Sequence, residues 1–146
     1  RRKRRAPRRK ERGKNGMLQI VPMEERDREA AVLRETPGAD AEARVLVMTD
    51  GADELGLVVA GVRERTLVVY GFSVAGRTDF TAEKPDAETV FILDTLLRSA
   101  ASFGEVNGAD RIRTTFPDFY DFFRLRGFEA AESHMEAPMS AIVHYT

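Results

Sequence analysis

From Met17 onward the chain alternates short apolar runs with charged stretches, and the spacing of each run says what it forms. Met17–Pro22 (MLQIVP) is a short apolar run and predicts a first strand. Glu24–Glu35 is mostly charged, with Ala30, Ala31 and Leu33 as a modest apolar face. It predicts a helix stopped by Pro37-Gly38. Three apolar runs come next in quick succession: Ala43–Met48, Leu55–Val62 and Leu67–Val74. Asp50-Gly51 separates the first two as a turn signal, and only Arg63–Thr66 separates the last two, so they predict an antiparallel meander. Each run is apolar at successive positions, not at every second one. A sheet made of them needs a cover on each face.

The second half has longer periods. Ala75–Pro85 is a polar loop, and Asp86 is placed to cap a helix beginning at Ala87. Within Ala87–Val106, Val90, Leu93, Leu97, Ala100 and Gly104 recur at helical spacing, with Phe91, Leu96 and Phe103 beside them. This is the longest predicted helix, and Asn107-Gly108 stops it. Arg111–Phe116 predicts a fifth strand. Pro117 suits a first helical turn, so Asp118–Arg126 predicts a short helix ended by Gly127. Phe128–Met135 and Met139–Tyr145 predict a final strand pair around Pro138. The order β-α-β-β-β-α-β-α-β-β places a strand-helix-strand crossover after a meander, which means a mixed sheet. Phe116, Phe119, Tyr120, Phe122, Phe123 and Phe128 hold six of the twelve aromatic residues. Their spacing is that of a core stripe. Any exposed remainder would be a homodimer face or an apolar ligand pocket.

Composition narrows the chemistry. The 146 residues suggest one domain with room for a real core. There are no cysteines, so disulfides and thiolate metal sites are excluded, and the two histidines, His134 and His144, make no metal site alone. No apolar run reaches the roughly 18 residues of a membrane span, and the basic start is not followed by an apolar signal segment. The expectation is a cytoplasmic protein without a membrane partner.

The formal net charge of −1 hides two opposed halves. Residues 1–16 carry ten Lys or Arg and one Glu, a net of +9, whereas residues 17–146 carry thirteen and twenty-three, a net of −10. The basic stretch has no apolar periodicity and is expected to be a disordered tail. One reading of it is a nucleic-acid arm, since clustered Arg and Lys neutralise phosphates. The other is a purine-rich leader translated ahead of Met17, because Arg, Lys, Glu and Gly all have purine-only codons. On that reading the protein starts at Met17 and residues 17–146 are its one domain.

The element order of residues 17–146 resembles the GNAT superfamily of N-acetyltransferases. The most specific piece is Arg124-Leu125-Arg126-Gly127-Phe128 after a short aromatic stretch, which is similar to the family's Leu-Gly-Phe phrase between its last helix and next strand. Leu96-Leu97-Arg98 and Gly108-Ala109-Asp110-Arg111-Ile112 sit at family-like spacing. Gly71 inside an apolar strand suggests a bulge or a close backbone approach. The resemblance implies an α/β fold with a mixed central sheet of six to seven strands and helices on both faces. It implies an acyl-CoA-dependent N-acyltransferase, transferring acetyl from acetyl-CoA to a small-molecule or peptide amine. In the family the fourth strand splays and its backbone bonds the pantetheine arm, a role that falls here to Phe72, Ser73 and Val74.

The chemistry-bearing motifs depart from that pattern. The family's pyrophosphate loop carries glycines at the start of the long helix, where this chain has Phe91 and Leu93. Asp86 and Glu88 put negative charge where a phosphate would sit. Gly76, Arg77 and Lys84 of the long loop are the substitute phosphate ligands. The family's acid, a Tyr four positions before the Gly of Gly-Phe, is Phe123 here, so Tyr120 is the candidate general acid. Glu54 and Glu64 are the candidate bases for an amine. The transferase is therefore of divergent type. The rival expectations are a catalytically inactive GNAT-like binding or regulatory module, and nucleic-acid binding through the tail.

Overall fold

A computed structural model describes residues 18–143. The basic stretch 1–16, Met17 and His144 lie outside the described residues, and so do the readings that rest on them.

Five strands and two α-helices succeed one another in the predicted order up to Thr114. They are β1 (Leu18–Pro22), α1 (Arg26–Glu35), β2 (Arg44–Asp50), β3 (Asp53–Arg63), β4 (Thr66–Val74), α2 (Ala87–Val106) and β5 (Arg111–Thr114). A 3-10 turn at Arg124–Arg126, β6 (Glu129–Ala131), β7 (His134–Pro138) and a second 3-10 turn at Met139–Ala141 complete the described chain. The strands form one sheet in the order β1-β2-β3-β4-β5-β7-β6. Every neighbouring pair is antiparallel except β4 and β5, which run parallel and are joined by α2. The expected mixed α/β sheet is what forms.

The apolar runs bury both faces, as their lack of alternation required. On one face α2 contributes Leu93, Leu96, Leu97 and Ala100 to a core with Met48, Val58, Leu67 and Val69. On the other, Val32 and Leu33 of α1 pack on Val45, Val47, Val59, Val68 and Tyr70. The helices therefore cover opposite faces. Asp86 caps α2 as read from the sequence, its carboxylate accepting the Thr89 N–H at 2.8 Å. Gly104 lets α2 approach the sheet, because a Cβ there would stand 2.7 Å from Leu67 Cβ.

Two predicted elements are different. Asp118–Arg126 is not an α-helix: only Arg124–Arg126 is helical, as a 3-10 turn. Tyr120 and Asp121 stand at φ 51° and 62°, in the left-handed region that ends helices. Asp118 does not cap a helix but accepts the N–H of Phe123, five residues on, at 2.8 Å. What the spacing reported was burial. Phe119, Phe122, Phe123 and Phe128 are all in the core, where their rings pack at 5.1–5.2 Å between centroids. The final hairpin turns at Glu132, with φ 51°, and not around Pro138. Pro138 instead ends β7 opposite Arg111.

Candidate functional site

The sheet opens between β4 and β5. Their parallel ladder runs from Thr66 and Arg111 to Val69 and Thr114, and a last bond joins the Thr115 N–H to the Val69 carbonyl at 3.1 Å. Beyond it the chain turns away. The Thr114 hydroxyl donates to the Phe116 carbonyl and accepts the Met135 N–H at 2.9 Å, which knots the turn in place. β4 bends on its own account. Its register on β3 shifts between Val59, opposite Gly71, and Ala60, opposite Val69. Tyr70 is the extra residue of a β-bulge, as Gly71 suggested. The faces record the same insertion: Leu67, Val69, Phe72 and Val74 all belong to the α2-side core, whereas strict alternation would have put Phe72 on the other side.

The opening exposes one peptide edge. Val74 faces away from β3, because its N–H and C=O are both bonded to Arg77, at 3.0 Å each. Alternation then turns the N–H and C=O of Phe72 to that same side. β5 has already left, so no strand meets them among the described residues. A cavity of about 590 Å³ adjoins this edge. Its walls come from the end of α1 (Val32, Glu35, Thr36), from β3 (Leu57, Val59), from Tyr70–Ser73 of β4, from Thr78–Thr81 and from Thr115, Phe116 and Phe119.

The loop between β4 and α2 folds back over the opening. Ala75 and Gly76, at φ 53° and 82°, make the two-residue turn that brings Arg77 beside Val74. The Arg77 guanidinium donates to the carbonyls of Asp79 and Glu83 and lies 5.0 Å over the Phe80 ring. Phe80 is buried against Phe119 at 5.7 Å. Asp79 accepts from the hydroxyl and N–H of Thr81, which hold its carboxyl below the usual range. At the start of α2, the Thr89 amide and then its hydroxyl hold Asp86 below the usual carboxylate range.

The residues singled out from the sequence are thus distributed unevenly. Phe72 and Ser73 line the cavity. Val74 has its backbone taken by Arg77, Arg77 is engaged in shaping its own loop, and Gly76 supplies the turn. Lys84 is exposed and does not line the cavity, and neither does Tyr120, whose hydroxyl donates to the Thr81 carbonyl at 2.9 Å. Phe91 is exposed on α2 and Leu93 fully buried. Glu54 accepts from both terminal guanidinium nitrogens of Arg28, at 2.5 and 2.9 Å, and Glu64 stands in the β3–β4 turn at φ 52°. His134 pairs with Glu136 at 3.2 Å on β7. Among the cavity residues without a functional reading in the sequence are Glu35, Tyr70 and Asp79. The placement of Tyr beside Gly71 in an otherwise aliphatic strand was the available signal.

No family model matches the sequence, and no curated protein matches it. Solved structures do. The ribosomal-protein-S18-alanine N-acetyltransferase of Escherichia coli superposes at TM-score 0.59 with 13% identity, covering 89% of this chain and 99% of that one. An acetyltransferase of Bacillus subtilis in complex with CoA superposes at 0.58 with 14% identity, over 83% and 98%. A GNAT family acetyltransferase of Brucella melitensis in complex with acetyl-CoA superposes at 0.53 with 15% identity, over 83% and 87%. The fold is that of the GNAT acetyltransferases. In this GNAT-like domain, no group of three or more metal-ligating side chains is found among the described residues. No described helix is long and apolar enough to cross a membrane.

Proposed function

We propose that the chain is an acyl-CoA-dependent N-acyltransferase of divergent type, with an amine as acceptor. The observation that carries this reading is the unpaired N–H and C=O of Phe72 beside the cavity at the β4–β5 opening. A buried strand edge without a partner is costly, and an amide-bearing arm laid along it completes the ladder. Such an arm fits the residues present. When bound, the thioester supplies the activated acyl group. Phe72 orients it through its backbone, Ser73 lines its path, and the rings of Phe80, Phe116 and Phe119 keep water from it.

The phosphate end of the same cofactor fits less well. The first turn of α2 has its Thr89 N–H satisfied by Asp86 and carries Glu88 as well. Both charges oppose a second anion. The phosphates are left to Lys84 and the remaining N–H groups of the Ala75–Pro85 loop. This favours one alternative reading, a GNAT-like binding module that holds its small ligand without the nucleotide.

Thermal unfolding with and without acetyl-CoA, and with free coenzyme A, separates the two. A ligand at 100 times its dissociation constant stabilises by about 2.7 kcal/mol. For a domain of this size the midpoint rises on the order of 10 °C. No rise at millimolar ligand would leave the binding module.

A further inference from the structure

We propose that the α1 side of the cavity binds a primary ammonium group carried on a flat apolar body, the chemistry of an arylalkylamine. The inference rests on the acyltransferase reading only for the fate of the amine, since the site itself is a binding site.

The body is set by the walls. Leu57 and Val59 lie two apart on β3 and so share one face. Tyr70 stands beside them at the bulge, 8% exposed, packed into the α1-side core and lining the cavity. Val32 completes an apolar slot from above. These aliphatic and aromatic walls suit an apolar ring or a short branched chain.

The charge is set by the rim. Glu35 and Asp79 are the charged residues at the cavity, and no lysine, arginine or histidine lines it among the described residues. Val32, Glu35 and Thr36 fall at i, i+3 and i+4, so α1 meets the cavity with its last turn. Thr36 takes two of the terminal carbonyls, those of Val32 at 2.7 Å and Leu33 at 3.2 Å, but the negative end of the helix dipole remains. Asp79 already accepts the N–H and hydroxyl of Thr81 and lies beside the Arg77 guanidinium, so Glu35 and the helix C-terminus are what favour a cation. An anion would meet repulsion from Glu35 and from the helix end.

The test is isothermal titration of the full chain with 2-phenylethylamine, 3-phenylpropionate and ethylamine. Saturable binding of the first is expected, at least ten-fold tighter than either of the others. Glu35→Gln, at an exposed position, should weaken 2-phenylethylamine several-fold. Leu57→Trp, its fold checked by circular dichroism, should abolish binding by filling the slot. Equal binding of the carboxylate, or an unchanged affinity in the Glu35→Gln protein, overturns the proposal. Amine binding without acetyl transfer supports it and sinks the transferase reading alone. Acetyl transfer to other amines, with no binding of 2-phenylethylamine, does the reverse.

Discussion

Val74 and Arg77 exchange both of their backbone hydrogen bonds, at 3.0 Å each way, across the turn formed by Ala75 and Gly76. The turn closes the last stretch of the open β4 edge and leaves the Phe72 peptide without a strand partner among the described residues. It depends on φ 82° at Gly76, where a β-branched residue is strained. Gly76→Val should therefore cost about 1–2 kcal/mol. Denaturant unfolding reads the loss, and amide exchange should show Val74 and Arg77 losing protection first.

The Asp86 cap gives a prediction with a definite pH sign. Its carboxyl sits below the usual range because the folded state bonds the ionised form. The stabilisation is present above the unfolded value, near 4, and is lost as pH falls through the folded value. Asp86→Ala should lower the melting temperature at pH 7, and the difference from the parent should shrink as the pH falls through the folded value. Asp86→Ser keeps an N-cap acceptor and removes the charge. It should hold the melting temperature at pH 7 and, if coenzyme A binds, tighten it.

Asp94 joins α2 to the turn that precedes β6. It accepts from Arg126 Nε at 2.6 Å and Arg98 Nε at 3.0 Å, while Arg126 also stacks 3.9 Å over the Phe122 ring. Burial pushes its carboxyl up, but the two guanidinium bonds outweigh burial and hold it below the usual range. Asp94→Asn should cost about 1–2 kcal/mol, the worth of charged hydrogen bonds reduced by partial solvent exposure. The cost is expected at neutral pH and should fade as the pH drops through the folded value, read by chemical unfolding across a pH series.

Gly104→Ala tests the contact of α2 with the sheet. Alanine gains up to about 1 kcal/mol in helix propensity. The new methyl would meet Leu67 Cβ at 2.7 Å, an atom next to backbone that has little freedom to move. Overpacking of this kind costs about 1–3 kcal/mol, so the net change should be destabilising. A stabilised variant would show that α2 can lift from β4.

Tyr120→Phe removes one exposed hydrogen bond, to the Thr81 carbonyl. It should cost no more than about 1 kcal/mol. Because Tyr120 does not line the cavity, any acyl-transfer rate should be unchanged. A large fall in turnover at constant stability would return the acid role to this residue.

Where an element makes its own case locally, the sequence was enough to read it. The period of Val90, Leu93, Leu97 and Ala100, with Asp86 before and Asn107-Gly108 after, defines α2 from Ala87 to Val106. Gly71 marks the bulge because a residue without a side chain in a buried strand has a backbone reason to be there. The stretch 118–126 misled because buried phenylalanines at i, i+3 and i+4 look the same whether a helix or an irregular turn buries them. There the choice fell to contacts remote in sequence, such as Arg126 with Asp94.

The sequence by itself therefore determined the strands up to Thr114, both α-helices, the covered faces of the sheet and the acidic start of α2, since each arises from periodicity, capping or charge within a few residues. Only the tertiary structure decided which polar groups stayed available. It took the Arg77 guanidinium for the loop carbonyls and the Tyr120 hydroxyl for Thr81. It left Glu35 and Tyr70 together at the cavity, from elements far apart along the chain. Hydrogen-bond partners and clefts are properties of segments brought together, and no local pattern along the chain encodes them.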